Sequence, residues 1–463
     1  MKKVSKIIAL LCMAVMLFGM IAACNGDEKP SGGSDSPPAG GGDPDNPVEI
    51  TYMFWGNDDE IATVTGVIDQ FNAEHPGIKV IPEPVDRADI EAILAARALA
   101  GNLPDTGFLS EQMVLDWARA GFLGNPEGMH SDKVLDIMKF RWEGQTVGIS
   151  SANEVILLYY NTDLFDAAGV AYPPKTAATA WTWDAFVDAA KSLTLDTSGR
   201  NAHDADFDRN NVAQWGIYPE QDPWMIEAFA LANGGGFFGP EPDWQNIIID
   251  KPESAAAFQR IADLHLVHGV SPQYGTFEYG MDAWFNPNND VPVAMGFNGQ
   301  WAIGVWLSGL REDEGLNYSV GVLPSMDKGN VTIATGGLAV IYDGTKHPAE
   351  AKTWLAWYAA NGAPELIHAG IWMPIFEKYY QDETLMREWA ETPNHPPFDD
   401  YRSAVIEYTT TSAQSTFWYW VPGADPFLGE LGTAVAQIWS GAKPAQDALS
   451  EAVPAMKAAL GID

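Results

Sequence analysis

The chain has 463 residues and a formal net charge of −36, because 62 acidic residues outnumber 26 lysines and arginines. This balance argues against a surface for nucleic acid or for anionic lipid, since phosphates are bound by Lys and Arg. Tryptophan is abundant, with 18 residues. Its flat apolar face and polar edge suit both protein cores and ring-shaped ligands, so composition alone does not divide these uses.

The amino-terminal segment has the layout of an export signal. Lys2, Lys3 and Lys6 precede an almost unbroken apolar run over residues 7–21. A spanning helix needs about 20 apolar residues and has no processing site, so we predict a signal peptide over residues 1–23. Removing it takes away three lysines and no acid, which changes the net charge from −36 to −39.

The end of this segment predicts a lipid anchor. The junction Ile21-Ala22-Ala23-Cys24 resembles a bacterial lipobox, in which the cysteine is acylated and becomes the mature amino terminus. The alternative is an ordinary signal peptide that happens to contain a cysteine. Cys12 lies inside the signal, so we expect no disulfide and no cysteine metal site in the mature chain.

The residues after the cysteine predict a flexible tether. Residues 24–47 are rich in Gly, Ser, Pro and Asp and show no apolar periodicity. Such a segment cannot bury enough surface to offset its ordering entropy. The body from residue 48 onward is long enough for two lobes with their own cores.

The first part of the body alternates strands and helices. Apolar residues at Val64, Val67, Ile68 and Phe71 follow the spacing of one buried helix face. Alternation of this kind predicts an open, mostly parallel sheet with helices on both sides. The predicted elements are a strand at 48–55, a helix ending at His75-Pro76-Gly77, a strand at 78–81, a helix over 90–100 stopped by Gly101, and a short strand after Pro104-Asp105.

Later elements follow the same logic as far as the end of the chain. A long apolar strand over 154–160 is the clearest of them. The others are a helix near Trp183 to Phe186, a helix from Pro223-Trp224 to Asn233-Gly234-Gly235-Gly236, a strand at 293–295, a helix opened by Asn298-Gly299-Gln300-Trp301, strands at 320–324 and 337–341, and a helix over 349–360.

Ligands of open α/β sheets bind beyond the carboxyl ends of the strands. The residues that follow the first and third predicted strands are therefore candidates for binding. These are Trp55, Asn57 and Asp58 after the first strand, and Glu111 and Gln112 after the third.

An ordered series of motifs resembles the family 1 extracellular solute-binding proteins, the group that includes the maltodextrin-binding proteins. The match runs through almost all of residues 48–463, and its strength lies in the order and spacing of the pieces. The motifs are Pro104-Asp105 with Ala120-Gly121-Phe122-Leu123, Tyr159-Tyr160-Asn161-Thr162-Asp163-Leu164-Phe165 with Ala168-Gly169 and Pro173-Pro174, Asn233-Gly234-Gly235, Ala294-Met295 with Gly299-Gln300-Trp301, and Gly336-Gly337.

The resemblance implies an α/β fold of the type II periplasmic-binding-protein kind, with two α/β lobes, a hinge and a ligand cleft between the lobes. Each lobe would use two stretches of chain, and the lobes would close on the ligand. Lobe 1 is expected over 48–153 and 338–388, and lobe 2 over 154–337 and 389–463.

The resemblance also implies a carbohydrate ligand, because a pyranose needs an aromatic face for its C–H surface and planar acceptors for its hydroxyls. Trp224, Trp301 and Trp418 fall where maltodextrin-type members carry cleft aromatics. The competing interpretation of each Trp is core packing. Glu154 matches an acidic residue on the crossing strand, with a hinge carboxylate as the alternative. Trp372 and Gly337 are further cleft candidates.

Two departures make maltodextrin itself a doubtful ligand. The segment Trp55-Gly56-Asn57-Asp58 lacks the lysine of the maltodextrin type, and Leu109 replaces an aromatic residue. Separately, Asp204, Asp206 and Asp208 have the alternate spacing of a Ca²⁺ loop. Arg209 and Trp215 stand where an EF-hand needs Gly and Glu, so a solvated acidic turn is the favoured interpretation and no cofactor is expected.

These features predict a monomeric, lipid-anchored capture subunit of an ABC importer on the extracytoplasmic face of the membrane. It would bind a carbohydrate without chemistry and deliver it to membrane permease subunits. Three alternatives stay open on sequence grounds. They are a surface-anchored glycosidase, a binding protein for a non-sugar solute, and a receptor that reports ligand occupancy to a membrane sensor.

Overall fold

A computed structural model describes residues 42–56, 58–219 and 222–462. Asn57 and the predicted signal peptide lie outside these residues, as does the tether up to residue 41. The last residues of the predicted tether are bound to the body. The backbone amides of Gly42 and Val48 both donate to the carbonyl of Gly77, at 2.9 and 3.0 Å.

The first sheet contains the predicted parallel strands. β1 pairs with β2 and with β3 in parallel, and β12 adds to β3 in antiparallel orientation. β12 therefore returns to this sheet from far along the chain. The elements up to the first crossing are β1 Val48–Trp55, α1 Asp58–Glu74, β2 Ile78–Val85, α2 Ile90–Ala100, β3 Thr106–Leu109, α3 Val114–Arg119, β4 Lys139–Trp142 and β5 Gln145–Ile149.

The second sheet is built around one fully buried strand, β6, with the partners β9, β10 and β11 beside it and β13 beyond β11. The strands β7 and β8 form a separate two-stranded sheet. The elements from the first crossing to the second are β6 Glu154–Asn161, α4 Thr162–Ala168, α5 Trp183–Leu193, β7 Leu195–Asp196, β8 Val212–Gln214, α6 Ile226–Ala232, α7 Pro252–Leu266, α8 Met281–Trp284, β9 Met295–Gly299, α9 Ser308–Asp313, β10 Tyr318–Gly321 and β11 Thr332–Thr335.

The remaining elements complete both parts of the fold. They are β12 Leu338–Ile341, α10 Pro348–Trp357, α11 Ala363–His368, α12 Lys378–Gln381, α13 Glu383–Ala390, α14 Phe398–Tyr401, α15 Tyr408–Ser412, β13 Ala413–Ser415, α16 Ala424–Trp439 and α17 Ala445–Leu460. Short 3₁₀ turns at Glu111–Met113 and Phe417–Tyr419, and a π-helical turn at Ile303–Leu307, lie near the candidate site.

Most predicted boundaries agree with the structure to within a few residues, and the region from residue 293 to residue 301 differs most. α2 ends at Gly101, whose φ of 66° is the left-handed conformation that glycine adopts without strain. The strand predicted at 293–295 is instead β9, which runs to Gly299, so Asn298 and Gly299 lie in a strand. Pairing of β9 with β6 satisfies the backbone groups of this segment and outweighs its helix-opening pattern.

Two chain segments cross between the sheets side by side. The amide of Ser151 donates to the carbonyl of Gly337 at 2.8 Å, and the amide of Ala339 donates to Ser151 Oγ at 3.0 Å. A Cβ atom on Gly336 would overlap the carbonyl of Ala152, so only glycine permits this close approach. The crossing places the start of β6 next to the end of β3.

Candidate functional site

A cavity of about 180 Å³ opens where the first sheet meets the crossing segments. Five of the predicted binding residues line it, and they come from five separate parts of the chain. Its described lining residues are Trp55, Glu60, Val64, Phe108, Glu111, Glu154, Gly337, Leu366, Ile371 and Trp372. The parallel strands β1 and β3 explain this convergence, because their carboxyl ends meet at one edge of the sheet.

Glu154 is the most enclosed polar group of this cavity, with a residue exposure of 9%. Within the described residues its carboxylate receives no hydrogen bond and forms no ion pair. Burial raises its pKa well above the ordinary value, and the neighbouring charge of Glu111 raises that pKa further. Buried polar groups usually have a hydrogen-bond partner, so this carboxyl group has unused acceptor capacity within the described residues.

Glu111 sits in the 3₁₀ turn that follows β3. Burial raises its pKa to about 7, while its own backbone amide, the Arg87 guanidinium and the backbone amide of Gly336 act in the opposite direction. Burial and the repulsion between the two groups therefore both raise the free energy of carrying a charge on Glu111 and Glu154 at the same time.

Arg87 packs against Trp55, which is one of the residues that line the cavity. Its guanidinium carbon lies 4.6 Å from the centre of the Trp55 ring. The same group reaches Ser110 Oγ at 3.1 Å and Glu91 Oε1 at 3.4 Å. One face of Trp55 is thus covered by a cation, and the edge of the ring contacts Phe108 at 5.0 Å between ring centres.

Three predicted tryptophans from distant segments meet in one cluster. Trp224 and Trp301 are half-buried and stack at 6.1 Å with an angle of 26° between their planes. Trp418 meets Trp224 edge-on at 5.1 Å and is only 2% exposed. Trp224 and Trp301 therefore keep part of their ring surface exposed, whereas Trp418 is covered and packs against Trp224. The ligand contacts expected of these three residues remain predictions.

The orientation of Trp301 depends on a glycine two residues before it. A Cβ atom on Gly299 would overlap three atoms of the Trp301 ring. The indole therefore lies directly against the backbone at the end of β9. Trp224 is held differently, because its side chain is hydrogen-bonded to the carboxyl group of Asp222, whose pKa is raised by burial.

Glu227 positions the turn that carries Trp418. Its Oε2 accepts from Thr416 Oγ1 at 2.6 Å and from the amide of Phe417 at 3.2 Å, and the residue is 4% exposed. Burial raises the pKa of Glu227 to about 8, against the lowering effect of these two donors. The turn Phe417–Tyr419 is thereby fixed to α6.

Tyr419 connects this turn to the acidic pair. Its hydroxyl lies 2.8 Å from Ser150 Oγ, and its ring stacks on Phe140 at 4.0 Å. Burial, and next the charge of Glu111, raise its pKa. Sequence reasoning missed Tyr419 and Arg87. Tyr419 stood in the quoted Phe417-Trp418-Tyr419 motif, whereas no local pattern indicated Arg87.

The other predicted residues have different positions. Gln112 is half-buried in the 3₁₀ turn after β3 and does not line the cavity. Asn57, and the side chain of Asp58, lie outside the described residues. The ligand contacts expected of these residues remain predictions.

The acidic stretch with calcium-like spacing folds as a turn. Asp204 accepts from the amide of Asp206, and Asp208 accepts from the amide of Asn210 and from Asn211 Nδ2. Among the described residues, no group of three or more His, Cys, Asp or Glu is placed to hold a metal ion. The carboxylates of Asp204 and Asp208 are thus engaged by the turn itself.

A second cavity, of about 190 Å³, adjoins the tryptophan cluster and was not foreseen. It begins at Asp222 and Pro223, directly before Trp224. Its described lining is Tyr218, Asp222, Pro223, Tyr274, Gly275, Phe277, Glu278, Tyr279, Gly280 and Trp284.

Comparison with known families decides between the enzyme and the binding-protein classes considered above. A model of the bacterial extracellular solute-binding proteins matches residues 56–363. The chain belongs to this family. It is accordingly a solute-binding protein and not an enzyme, as predicted.

Solved structures of solute-binding proteins share its fold. An ABC substrate-binding protein from Listeria monocytogenes, in complex with cycloalternan, has a TM-score of 0.70 at 20% identity, covering 90% of this chain and 100% of that one. A cyclic α-maltosyl-1,6-maltose binding protein from Arthrobacter globiformis has a TM-score of 0.71 at 19% identity, covering 90% and 99%. The predicted type II binding-protein fold, with two α/β lobes, is confirmed.

Curated relatives match over part of their length. An uncharacterized lipoprotein of Streptomyces antibioticus is 27% identical over 192 residues, which is 40% of this chain and 39% of the relative. An arabinooligosaccharide-binding protein of Halalkalibacterium halodurans is 23% identical over 299 residues, which is 62% of each. This member of the solute-binding family also has, within its described residues, no helix long and apolar enough to cross a membrane.

Proposed function

We propose that this protein captures an oligosaccharide in the cleft between its lobes and delivers it to the permease subunits of an ABC importer. The observation that carries the proposal is that the chain presents two stacked, half-buried indoles, Trp224 and Trp301, together with a cavity lined by carboxyl groups. Indole faces suit the C–H surface of a sugar ring, and carboxyl groups suit its hydroxyls.

The names of relatives support a carbohydrate. One curated relative is an arabinooligosaccharide-binding protein, and the solved structures with this fold include complexes with cycloalternan and with maltotriose. The departures at Trp55-Gly56-Asn57-Asp58 and Leu109 leave maltodextrin without special support. We infer a lobe 1 of 48–153 and 338–388 and a lobe 2 of 154–337 and 389–463, since the two crossing segments lie at 150–154 and 335–339.

A ligand screen on residues 48–463 tests this function. Calorimetry and thermal unfolding would be measured with arabino-, malto-, cello- and xylo-oligosaccharides, and with peptides and polyamines as matched non-sugar panels. A ligand present at 100 times its Kd should stabilise the protein by about 2.7 kcal/mol, because it binds only the folded state. Stabilisation by peptides or polyamines, with no response to any sugar, would contradict the carbohydrate assignment and leave the fold untouched.

The same proposal includes a lipid anchor at Cys24 on the extracytoplasmic face of the membrane. The lipobox-like junction before Cys24 supports it, as does the lipoprotein name of one relative. Cells that express the full chain and are fed labelled palmitate should yield a labelled, membrane-associated protein. The Cys24→Ser variant should lose the label. An unlabelled wild-type protein released into the medium would contradict the anchor.

A further inference from the structure

The cavity beside the crossing segments is lined by acidic side chains and, among its described lining residues, by no basic side chain. Three of its described lining residues are glutamates, namely Glu60, Glu111 and Glu154, and none is Lys, Arg or His. At about 180 Å³ it is smaller than the roughly 300–1,000 Å³ of sites for drug-sized ligands. It therefore suits one ring of a larger ligand.

Glu154 supplies an independent sign that a ligand completes this site. Its side chain lines the cavity and is nine-tenths buried, and no described residue donates a hydrogen bond to its carboxylate. A buried carboxyl group without a partner costs stability, and the cost is recovered when a donor or a cation arrives. A protonated amine on the ligand would satisfy Glu154 and Glu111 together.

Among the described residues, no Lys, Arg or His forms an ion pair with Glu111 or Glu154. The nearest cation, Arg87, is shared among Trp55, Ser110 and Glu91, and its side chain is half-exposed. Tyr419 approaches the pair with a neutral hydroxyl. Other ionisable groups on the described elements around the cavity are Glu60 on α1, Glu91 on α2, Asp425 on α16 and His368 on α11. The charge of Asp425 interacts with Glu91 and Arg87. His368 contacts the backbone carbonyl of Glu388.

We propose, on the basis of the oligosaccharide-binding function above, that Glu111 and Glu154 select the charge class of the captured sugar. They favour a unit that carries a protonated amine over the uncharged unit of the same shape, and they exclude a unit that carries a carboxylate. The physical reason is that like charges brought together without water repel strongly, whereas a cation pairs with both carboxylates.

The test compares binding across three charge classes by calorimetry on the full body. The probes are chitosan oligosaccharides with free amines, their N-acetylated forms and cello-oligosaccharides as neutral chains of the same linkage, and oligogalacturonates as acids. Malto- and arabino-oligosaccharides extend the neutral set. We expect the amine-bearing chain to bind at least about tenfold more tightly than its neutral counterpart, and the acidic chain not to bind.

Two variants test whether Glu111 and Glu154 cause this preference for the amine-bearing ligand. Glu111→Gln and Glu154→Gln keep the size of the side chains and should reduce the preference for the amine at least about fivefold. Glu388→Gln removes the same charge from the exposed surface of α13 and should leave the preference unchanged.

The outcomes separate this inference from the function on which it rests. Tight binding of a neutral sugar with equal affinity for its amine-bearing form would overturn the charge selection and keep the capture of oligosaccharides. Binding of oligogalacturonates, or an amine preference that survives both glutamine variants, would also overturn it. Failure of every carbohydrate class would remove both proposals.

Discussion

Replacing Trp224 or Trp301 by alanine is expected to weaken oligosaccharide binding by roughly 30- to 700-fold, which corresponds to the 2–4 kcal/mol of a central aromatic contact. Each change removes one of the two stacked ring surfaces of the cluster. The ligand loses its apolar platform while the acidic cavity stays in place. Calorimetry with the oligosaccharide identified in the screen measures the change.

Two further variants control this experiment. Trp224→Tyr keeps a flat ring and should recover most of the affinity. Trp357→Ala removes another half-buried indole, one that stacks on Trp354 and donates to Glu74 at 3.1 Å, away from both cavities. It should leave binding unchanged. Equal losses in all three tryptophan-to-alanine variants would indicate a general loss of folding, and normal binding by the Trp224 and Trp301 variants would exclude the platform.

The contributions of Glu227 and Glu111 to stability without ligand are expected to fall as the pH rises from 5 to 8. The folded-state pKa of Glu227 is about 8 and that of Glu111 about 7, against an ordinary value of 4.5. Between these values the folded protein holds protons that the unfolded chain has lost. The stabilising contribution is thus complete below 4.5 and is lost as the pH passes the folded pKa, at about 1.4 kcal/mol per pH unit for each group.

The Glu227→Gln variant measures the contribution of Glu227 to this pH dependence of the free energy of unfolding. The amide can still accept from Thr416 or from the backbone of Phe417, but it has no charge to bury. The free energy of unfolding, measured by urea at several pH values, should depend less on pH in this variant by about 1.4 kcal/mol per unit. Glu388→Gln should keep the wild-type slope. A slope in Glu227→Gln that equals the wild-type slope would contradict the assignment.

Local patterns predicted the elements of the fold because each depends on short-range physics. The apolar spacing from Val64 to Phe71 marks one face of α1, and a glycine at residue 101 ends α2 through its left-handed backbone. The boundary of β9 was wrong for a complementary reason. Asn298 and Gly299 favour a helix start locally, but pairing with β6 across more than a hundred residues decides their conformation.

The candidate site was predictable in part. Strand order explains why Trp55 and Glu111 meet, and the family pattern pointed to Glu154 and to the tryptophans. The sequence could not predict which of those tryptophans are partly exposed and which one is buried. Their exposure depends on which ring lies above another, as Trp224 lies on the buried Trp418. The contact of Arg87 with Trp55 depends on a loop geometry that no spacing rule encodes.

The contact between Trp301 and Gly299 limits how this site can change over evolutionary time. The indole occupies the space that any side chain at residue 299 would need. The present position of Trp301 therefore requires glycine at residue 299. A chain with alanine at residue 299 would have to place the indole of Trp301 elsewhere. Alanine at residue 299 would therefore separate Trp301 from Trp224 and remove one of the two stacked rings.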